Sequence, residues 1–215
     1  MKQKKLISFD LQGTLSNSSF SDEFWLELLP TLYAEKNGIT FLEASERLES
    51  AYQKTGKYHE AFYNHRIRLN EILGNWEFQD VIKRIESPAE IYADRMQLLD
   101  EIPGDIPVII VSATTRDFID HELGEHKSKF FDTFSAIDDF STPGKPPHIF
   151  EKVASMMEVA PQNCLHLGDC REMDYQNSTA AGWISYHLDK KKSPELVVQE
   201  MRHVIAEFLN NTPEQ

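Results

Sequence analysis

Leu6-Ile7-Ser8-Phe9-Asp10-Leu11-Gln12-Gly13-Thr14-Leu15 (LISFDLQGTL, residues 6–15) sets the reading of the whole chain. A short apolar run ends in an acid, and a Gly-Thr turn follows. That is the form of a strand buried on both faces, delivering a carboxylate beyond its carboxyl end. In open α/β sheets ligands bind at those ends. One residue is out of place for acid–base chemistry. Gln12 is an amide, which neither gives nor takes a proton.

Four more segments have the same apolar character: PVIIVSA (107–113), FSAID (134–138), CLHLGD (164–169) and WISYHL (183–188), with KLISFD (5–10) as the first of five strands. Helical patterns lie between them. PAEIYADRMQLLDE (88–101) has Ser87 as N-cap and Pro88 at the first helical position. Helices are also predicted over 115–123, over 146–158 with Ile149, Phe150, Val153 and Met157 on one face, and over 194–209 after Ser-Pro-Glu. Strand–helix alternation predicts an α/β fold with a parallel five-stranded sheet and helices on both faces.

Residues 16–87 break the alternation. They hold no strand pattern, only amphipathic stretches at about 22–36, 41–54, 57–73 and 77–85, divided by Asn37-Gly38, Gly56 and Gly74-Asn75. The division that follows is a core of 1–15 and 88–215 with a helical unit, 16–87, inserted after the first strand.

Composition narrows the function. At 215 residues, 40% hydrophobic and 27% charged, the chain is of ordinary globular type. A net charge of -13 argues against a nucleic-acid or anionic-membrane partner. Cys164 and Cys170 are too few for a disulfide framework and lack metal-type spacing, which suits a reducing cytoplasm. No apolar run approaches the roughly 20 residues of a membrane span. The Lys190–Lys192 run reads as a solvated loop.

Each strand end then brings a different group. The first brings Asp10 with Gly13 and Thr14. The second brings Ser112 and Ala113, the loop STPGKPP brings Lys145, and the fourth brings Asp169 with Asp174 five residues on. A carboxylate nucleophile, a hydroxyl donor, an ammonium and two further carboxylates could together hold Mg2+ and a phosphoryl group. Alone, Ser112 is an ordinary strand-end hydroxyl, Lys145 an ordinary loop lysine, and Asp174 a residue able to cap the next helix. Their order makes the case.

FDLQGTL, VIIVSATTR, TPGKP and LHLGDCREMDYQNSTAAGW together resemble the haloacid dehalogenase superfamily, whose motifs are Asp-x-Asp-Gly-Thr, a Ser/Thr, a Lys and Gly-Asp-(x)n-Asp. The resemblance covers nearly the whole chain, with 16–87 where the family carries its helical type 1 cap on a Rossmann-like core. It implies that Asp10 attacks phosphorus to form an aspartyl-phosphate. It implies Mg2+ held by Asp10, Asp169, Asp174 and the main-chain carbonyl of Gln12. Gly13, Thr14, Ser112, Ala113 and Lys145 would surround the phosphoryl oxygens, Lys145 offsetting their charge.

Two departures stand out. GKPPHIF is one residue shorter than the family's usual GKPxPxIF, which puts the place of Lys145 in question. Gln12 stands where family phosphatases carry the acid that protonates the leaving oxygen and then activates water, a role worth about 10²–10⁴ in rate. The resemblance therefore implies a Mg2+-dependent phosphohydrolase of a small phosphorylated metabolite with reduced acid–base capacity. The alternatives are a catalytically weak binding or regulatory protein, or a hydrolase of the dehalogenase or phosphonatase type. His59, His65, Arg66 and Arg68 are candidates for the cap's inner face. His166, inside a strand, reads as a core histidine, and Cys170 has no partner that marks it as a nucleophile.

Overall fold

The computed structural model describes residues 4–55, 59–87 and 89–211. Five parallel strands form one sheet in the order β3-β2-β1-β4-β5: β1 Leu6–Phe9, β2 Val108–Ser112, β3 Asp132–Ser135, β4 Cys164–Gly168 and β5 Ile184–His187. The helices, in chain order, begin with α1 Ser19–Glu23, α2 Leu29–Asn37, α3 Phe41–Thr55, α4 His65–Ile72 and α5 Phe78–Ile82, all between β1 and β2. Then come α6 Ala93–Leu99, α7 Arg116–Leu123, α8 Ala136–Phe140, α9 Pro147–Met156, α10 Asn177–Ala180 and α11 Pro194–Asn210. No helix among the described residues is long and apolar enough to cross a membrane.

The sheet is central because its strands are apolar on both faces. Every β1 residue is fully buried. Ile7, Phe9, Ile110, Leu165 and Leu167 pack with α6, α7 and α11 on one face, through Met96, Ile119, Met201, Ile205 and Phe208. Leu6, Ile109, Val111 and Phe134 pack with α9 on the other, through Ile149, Phe150 and Val153. Helices α1 to α5 have a third core, and Phe118 of α7 is driven into it beside Phe20 and Phe24. One helix of the main body thus anchors the inserted helices from below.

Several predicted elements differ. The third strand starts at Asp132, and FSAID turns helical at Ala136 because Ser135 Oγ accepts from the Asp138 N–H at 3.0 Å and caps α8. The helix expected over 88–101 begins only at Ala93. Pro88 lies outside the described residues, and 89–92 is extended because its backbone is already engaged. Tyr92 N–H donates to Leu15 O at 2.9 Å, Asn17 N–H to Glu90 O at 2.9 Å, and Ser16 bridges Ile91. The two connections to the inserted helices are therefore zipped together, a tertiary pairing that overrides local helix propensity. Ser87 does not cap; its N–H donates to the Glu23 carboxylate at 2.7 Å. The stretch predicted as 57–73 is a 3-10 turn at Glu60–Phe62 and then α4, capped by Asn64, whose side chain accepts from Arg66 N–H at 3.2 Å. Gly56 and Lys57 lie outside the described residues. The 22–36 pattern starts earlier, at Ser19, with a π-helical turn at Phe24–Leu28.

His65 and Arg66 fasten the inserted helices to the main body. The Arg66 guanidinium bonds Asp117 at 2.9 and 2.7 Å and also pairs with Asp138. His65 is fully buried among Phe24, Trp76, Phe78 and Phe118, with Nδ1 and Thr115 Oγ1 2.9 Å apart and Asp117 3.7 Å from Nε2. Burial, and then the Arg66 charge, push its pKa down to about 3. The unfolded imidazole, near 6.5, takes its proton first, so folding stability falls as pH drops below that value. Between pH 7 and pH 5 the wild type should lose about 1–2 kcal/mol more than His65→Gln. Urea unfolding at both pH values measures this; equal losses would contradict it.

Candidate functional site

The carboxyl ends of three strands, β1, β2 and β4, and the loop before α9 converge on one cavity of about 270 Å³. Asp10, Ser112, Ala113, Lys145, Asp169 and Asp174 all line it, together with Gln12. The sheet does this by geometry: β2, β1 and β4 are adjacent and parallel, so their carboxyl ends lie side by side.

Lys145 is the centre. It is almost fully buried, its Nζ lies 2.7 Å from Asp10 Oδ1, and it also pairs with Asp174 Oδ1. The shortened GKPPHIF loop has not displaced it, since Pro146 and Pro147 open α9 directly and Asn177 Nδ2 holds the Lys145 carbonyl at 2.9 Å. Burial alone would lower the Lys145 pKa, but Asp10 and Asp174 outweigh it and raise it, so the ammonium is permanent. Asp10 is pushed up by burial and by the neighbouring acids Asp174 and Asp169, with Lys145 opposing. Asp174 is held well below the usual carboxylate range: burial works against it, and Lys145 and His166 prevail.

Asp174 is placed with particular care. It sits in a π-helical turn at Arg171–Gln176, a feature often found at functional sites. Its Oδ2 accepts from Cys170 N–H at 2.8 Å, and its Oδ1 lies 3.2 Å from His166 Nε2. His166 Nδ1 in turn pairs with Ser8 Oγ at 2.9 Å. His166 is thus a core histidine, as expected, but one that positions an acid of the site. Gly168 leaves the room: a Cβ there would overlap the Asp174 carboxylate.

Asp10, Asp169 and Asp174 each offer an oxygen, and these lie within 4.8 Å of one another. Three hard oxygen donors crowded by burial suit a small divalent cation. Lys190, more than half exposed, also pairs with Asp169, so this lysine of the solvated 190–192 run reaches the cavity rim.

Gly13 and Thr14 play a supporting part. Gly13 has φ +80, and its N–H donates to Ser16 O at 2.8 Å. A Cβ on it would fall 2.7 Å from the Asp169 carboxylate. Thr14 is buried, with Oγ1 3.4 Å from Asp169 Oδ1. Neither lines the cavity. Arg95 of α6, stacked at 4.0 Å over Tyr92, donates to the Gly13 and Thr14 carbonyls from beneath.

Gln12 does line the cavity, and its amide is anchored. Nε2 donates to Glu122 Oε1, while Glu122 Oε2 accepts from Ser16 Oγ at 2.8 Å. Glu122, on α7, is buried, and burial pushes its pKa up to about 7 against the pull of both bonds. The inserted helices close the cavity with Ser18, Ser21, Asp22, Trp25, Phe62 and Tyr63. None of the four predicted inner-face residues is among them. His59 caps the 3-10 turn, His65 and Arg66 face the main body, and Arg68 pairs with Glu71.

Removing the Lys145 charge leaves two buried acids unpaired, which costs about 3–5 kcal/mol when one partner of a buried pair is lost. Lys145→Gln should show that loss in urea unfolding at pH 7; a change under 1 kcal/mol would contradict the central role of this ammonium.

The profile of the haloacid dehalogenase-like hydrolases matches residues 4–182. No curated protein matches by sequence. Among solved structures, a HAD phosphatase from Thermococcus onnurineus superposes with a TM-score of 0.77 at 17% identity, over 94% of this chain and 97% of that one. A 2-haloacid dehalogenase from Pseudomonas syringae pv. Tomato gives 0.63 at 19%, over 96% and 100%. A predicted phosphoglycolate phosphatase from Haemophilus somnus gives 0.56 at 17%, over 85% and 84%. These likenesses speak to the fold, while the profile match and the ordered strand-end residues speak to descent: the chain belongs to the haloacid dehalogenase-like hydrolases.

Proposed function

We propose that the protein is a Mg2+-dependent phosphohydrolase of a small phosphorylated metabolite, with Asp10 as nucleophile and a curtailed capacity for proton transfer. The observation that carries this is the buried Lys145 ammonium shared by Asp10 and Asp174, beside a third acid within 4.8 Å. A metal-free hydrolase has little need of Asp169 and Asp174 in that arrangement. In this reading residues 1–15 and 88–215 are the catalytic core and 16–87 its cap. Asp10, Asp169, Asp174 and the Gln12 carbonyl would hold Mg2+, which when bound supplies positive charge against the phosphoryl oxygens. The acidity, with a net charge of -13, and the free Cys164 and Cys170 fit a cytoplasmic enzyme of small molecules rather than of nucleic acids or membranes.

In the first step an Asp10 carboxylate oxygen attacks phosphorus. The bond to the leaving oxygen breaks, that oxygen keeps the electron pair, and solvent supplies its proton. In the second step water attacks the aspartyl-phosphate, the bond to Asp10 breaks, and phosphate and a proton leave. Ser112 and Lys145 stabilise the phosphoryl oxygens. Gln12, with its Nε2 held by Glu122, offers Oε1 as an acceptor able to orient that water, but it takes no proton.

A panel of acetyl phosphate, p-nitrophenyl phosphate and alkyl phosphates tests this with and without Mg2+. Mg2+-dependent turnover should appear for the activated phosphates, and Asp10→Asn should abolish it. No turnover above that variant would favour a binding or regulatory protein. An acid placed at 12 would come beside the buried Glu122, so the clean restoration is Gln12→Asp with Glu122→Gln. That double variant should raise alkyl phosphate turnover by about 10²-fold, the lower end of general acid–base contributions. An unchanged rate would contradict the role assigned to the missing acid.

A further inference from the structure

The cavity over Asp10 does not end at the carboxylates. A second, open chamber of about 320 Å³ adjoins it among the inserted helices, and Gln12, Ser21, Asp22, Trp25, Phe62 and Tyr63 are walls of both. Its far side is Leu26 and Tyr52. Its wall is a continuous aromatic surface: ring centroids lie 6.1 Å apart for Trp25 and Tyr52, 5.5 Å for Tyr52 and Phe62, and 5.3 Å for Phe62 and Tyr63.

Two features say what this wall meets. Leu26 is 65% exposed and Phe62 39%, so apolar surface faces water at the mouth of a catalytic cavity, where a ligand could cover it. The charged side chain among the described residues lining the chamber is Asp22, a carboxylate. A ligand arm bearing a carboxylate or a second phosphate would meet like charge there and lose its hydration. An uncharged ring would gain from apolar burial and from edge contacts with the aromatic wall.

With phosphorus at Asp10, the group that enters the chamber is the one that departs. We infer that the chamber receives the leaving group of an aryl monophosphate, an uncharged phenolic ring, and selects against phosphates carrying a second anionic group. The inference rests on the phosphohydrolase reading and deepens it. It also accounts for Gln12. A phenol ionises near pH 10, as the tyrosine side chain does, whereas water ionises near 15.7. A phenolate departs far more readily without a proton than an alkoxide does. The aromatic wall and the missing acid thus point to one substrate class from independent observations.

The test uses full-length protein with Mg2+ and two non-hydrolysable probes, phenylphosphonate and methylphosphonate, titrated by calorimetry. Phenylphosphonate should bind about 10-fold or more tighter, in keeping with burial of a ring. Phosphonoacetate, with its extra carboxylate, should bind no better than methylphosphonate. Trp25→Ala should reduce the phenyl-to-methyl ratio toward one. Leu26→Asp should do the same, and because Leu26 is largely exposed this variant tests the chamber without touching a core. Equal binding of the two probes by the wild type, or a ratio unmoved in both variants, would overturn the inference. Kinetics on phenyl phosphate and acetyl phosphate keep the two readings apart. Turnover without selectivity for the ring overturns the chamber's role alone. Selective binding with no turnover above Asp10→Asn overturns the hydrolase, and with it the leaving-group assignment.

Discussion

A buried ammonium between two buried carboxylates is the constraint on which the rest of this structure depends. Lys145 cannot be dehydrated without partners, nor can Asp10 and Asp174, so the three must be brought together with little freedom of position. The parallel sheet supplies that precision. Asp10 follows β1, Asp174 hangs from the turn after β4, and Lys145 reaches over from the loop before α9. The supporting bonds read as consequences: Asn177 holds the Lys145 carbonyl, Cys170 N–H and His166 hold Asp174, and Ser8 holds His166. A polar chain therefore runs from inside the sheet to the cavity floor. Fully paired networks of this kind fix one arrangement, and a half-paired one would be worse than an apolar core.

The loop after β1 is organised by a third buried acid. Glu122 binds the Gln12 amide and the Ser16 hydroxyl at once, and Ser16 is where the chain leaves for the inserted helices and bridges Ile91 on the way back. The loop after Asp10 and the point where the chain leaves for the inserted helices thus share one carboxyl group. Arg95 clamps the intervening Gly13-Thr14 carbonyls from the other side. The amide at 12 has a structural part of its own. It is a fixed group with a defined donor end and a defined acceptor end, and it ties the loop that follows Asp10 to α7.

Much of this was legible in the sequence, for identifiable reasons. Strands buried on both faces are continuous apolar runs, and four of them end in a polar residue or lead into a polar loop, so the sequence alone puts Asp10, Ser112, Lys145, Asp169 and Asp174 at one sheet edge. What escaped was tertiary. The extended 89–92 segment follows from pairing with residues 15–17, which local helix propensity does not encode. FSAID turns helical because its Ser135-x-x-Asp138 capping pattern outweighs its apolar character, a signal present in the sequence. Glu122 looks like any acid on an amphipathic helix until the loop folds over it. Lys190 reads as a solvated charge, and only the approach of the β5–α11 connection to Asp169 brings it to the cavity rim. The chemistry of His59, His65, Arg66 and Arg68 suits an inner face, but the inserted helices turn Asp22 and aromatic side chains to the cavity over Asp10.

The central claim is that Asp10, neutralised by Lys145 and aided by a cation held among the three acids, is a phosphoryl acceptor. The measurement that tests it most directly is intact-mass and peptide-level mass spectrometry of protein quenched rapidly after mixing with Mg2+ and acetyl phosphate. The account predicts a transient gain of one phosphoryl group on Asp10, absent in Asp10→Asn and absent without Mg2+. Phosphate release with no such adduct at any quench time, or an adduct on another residue, would contradict it.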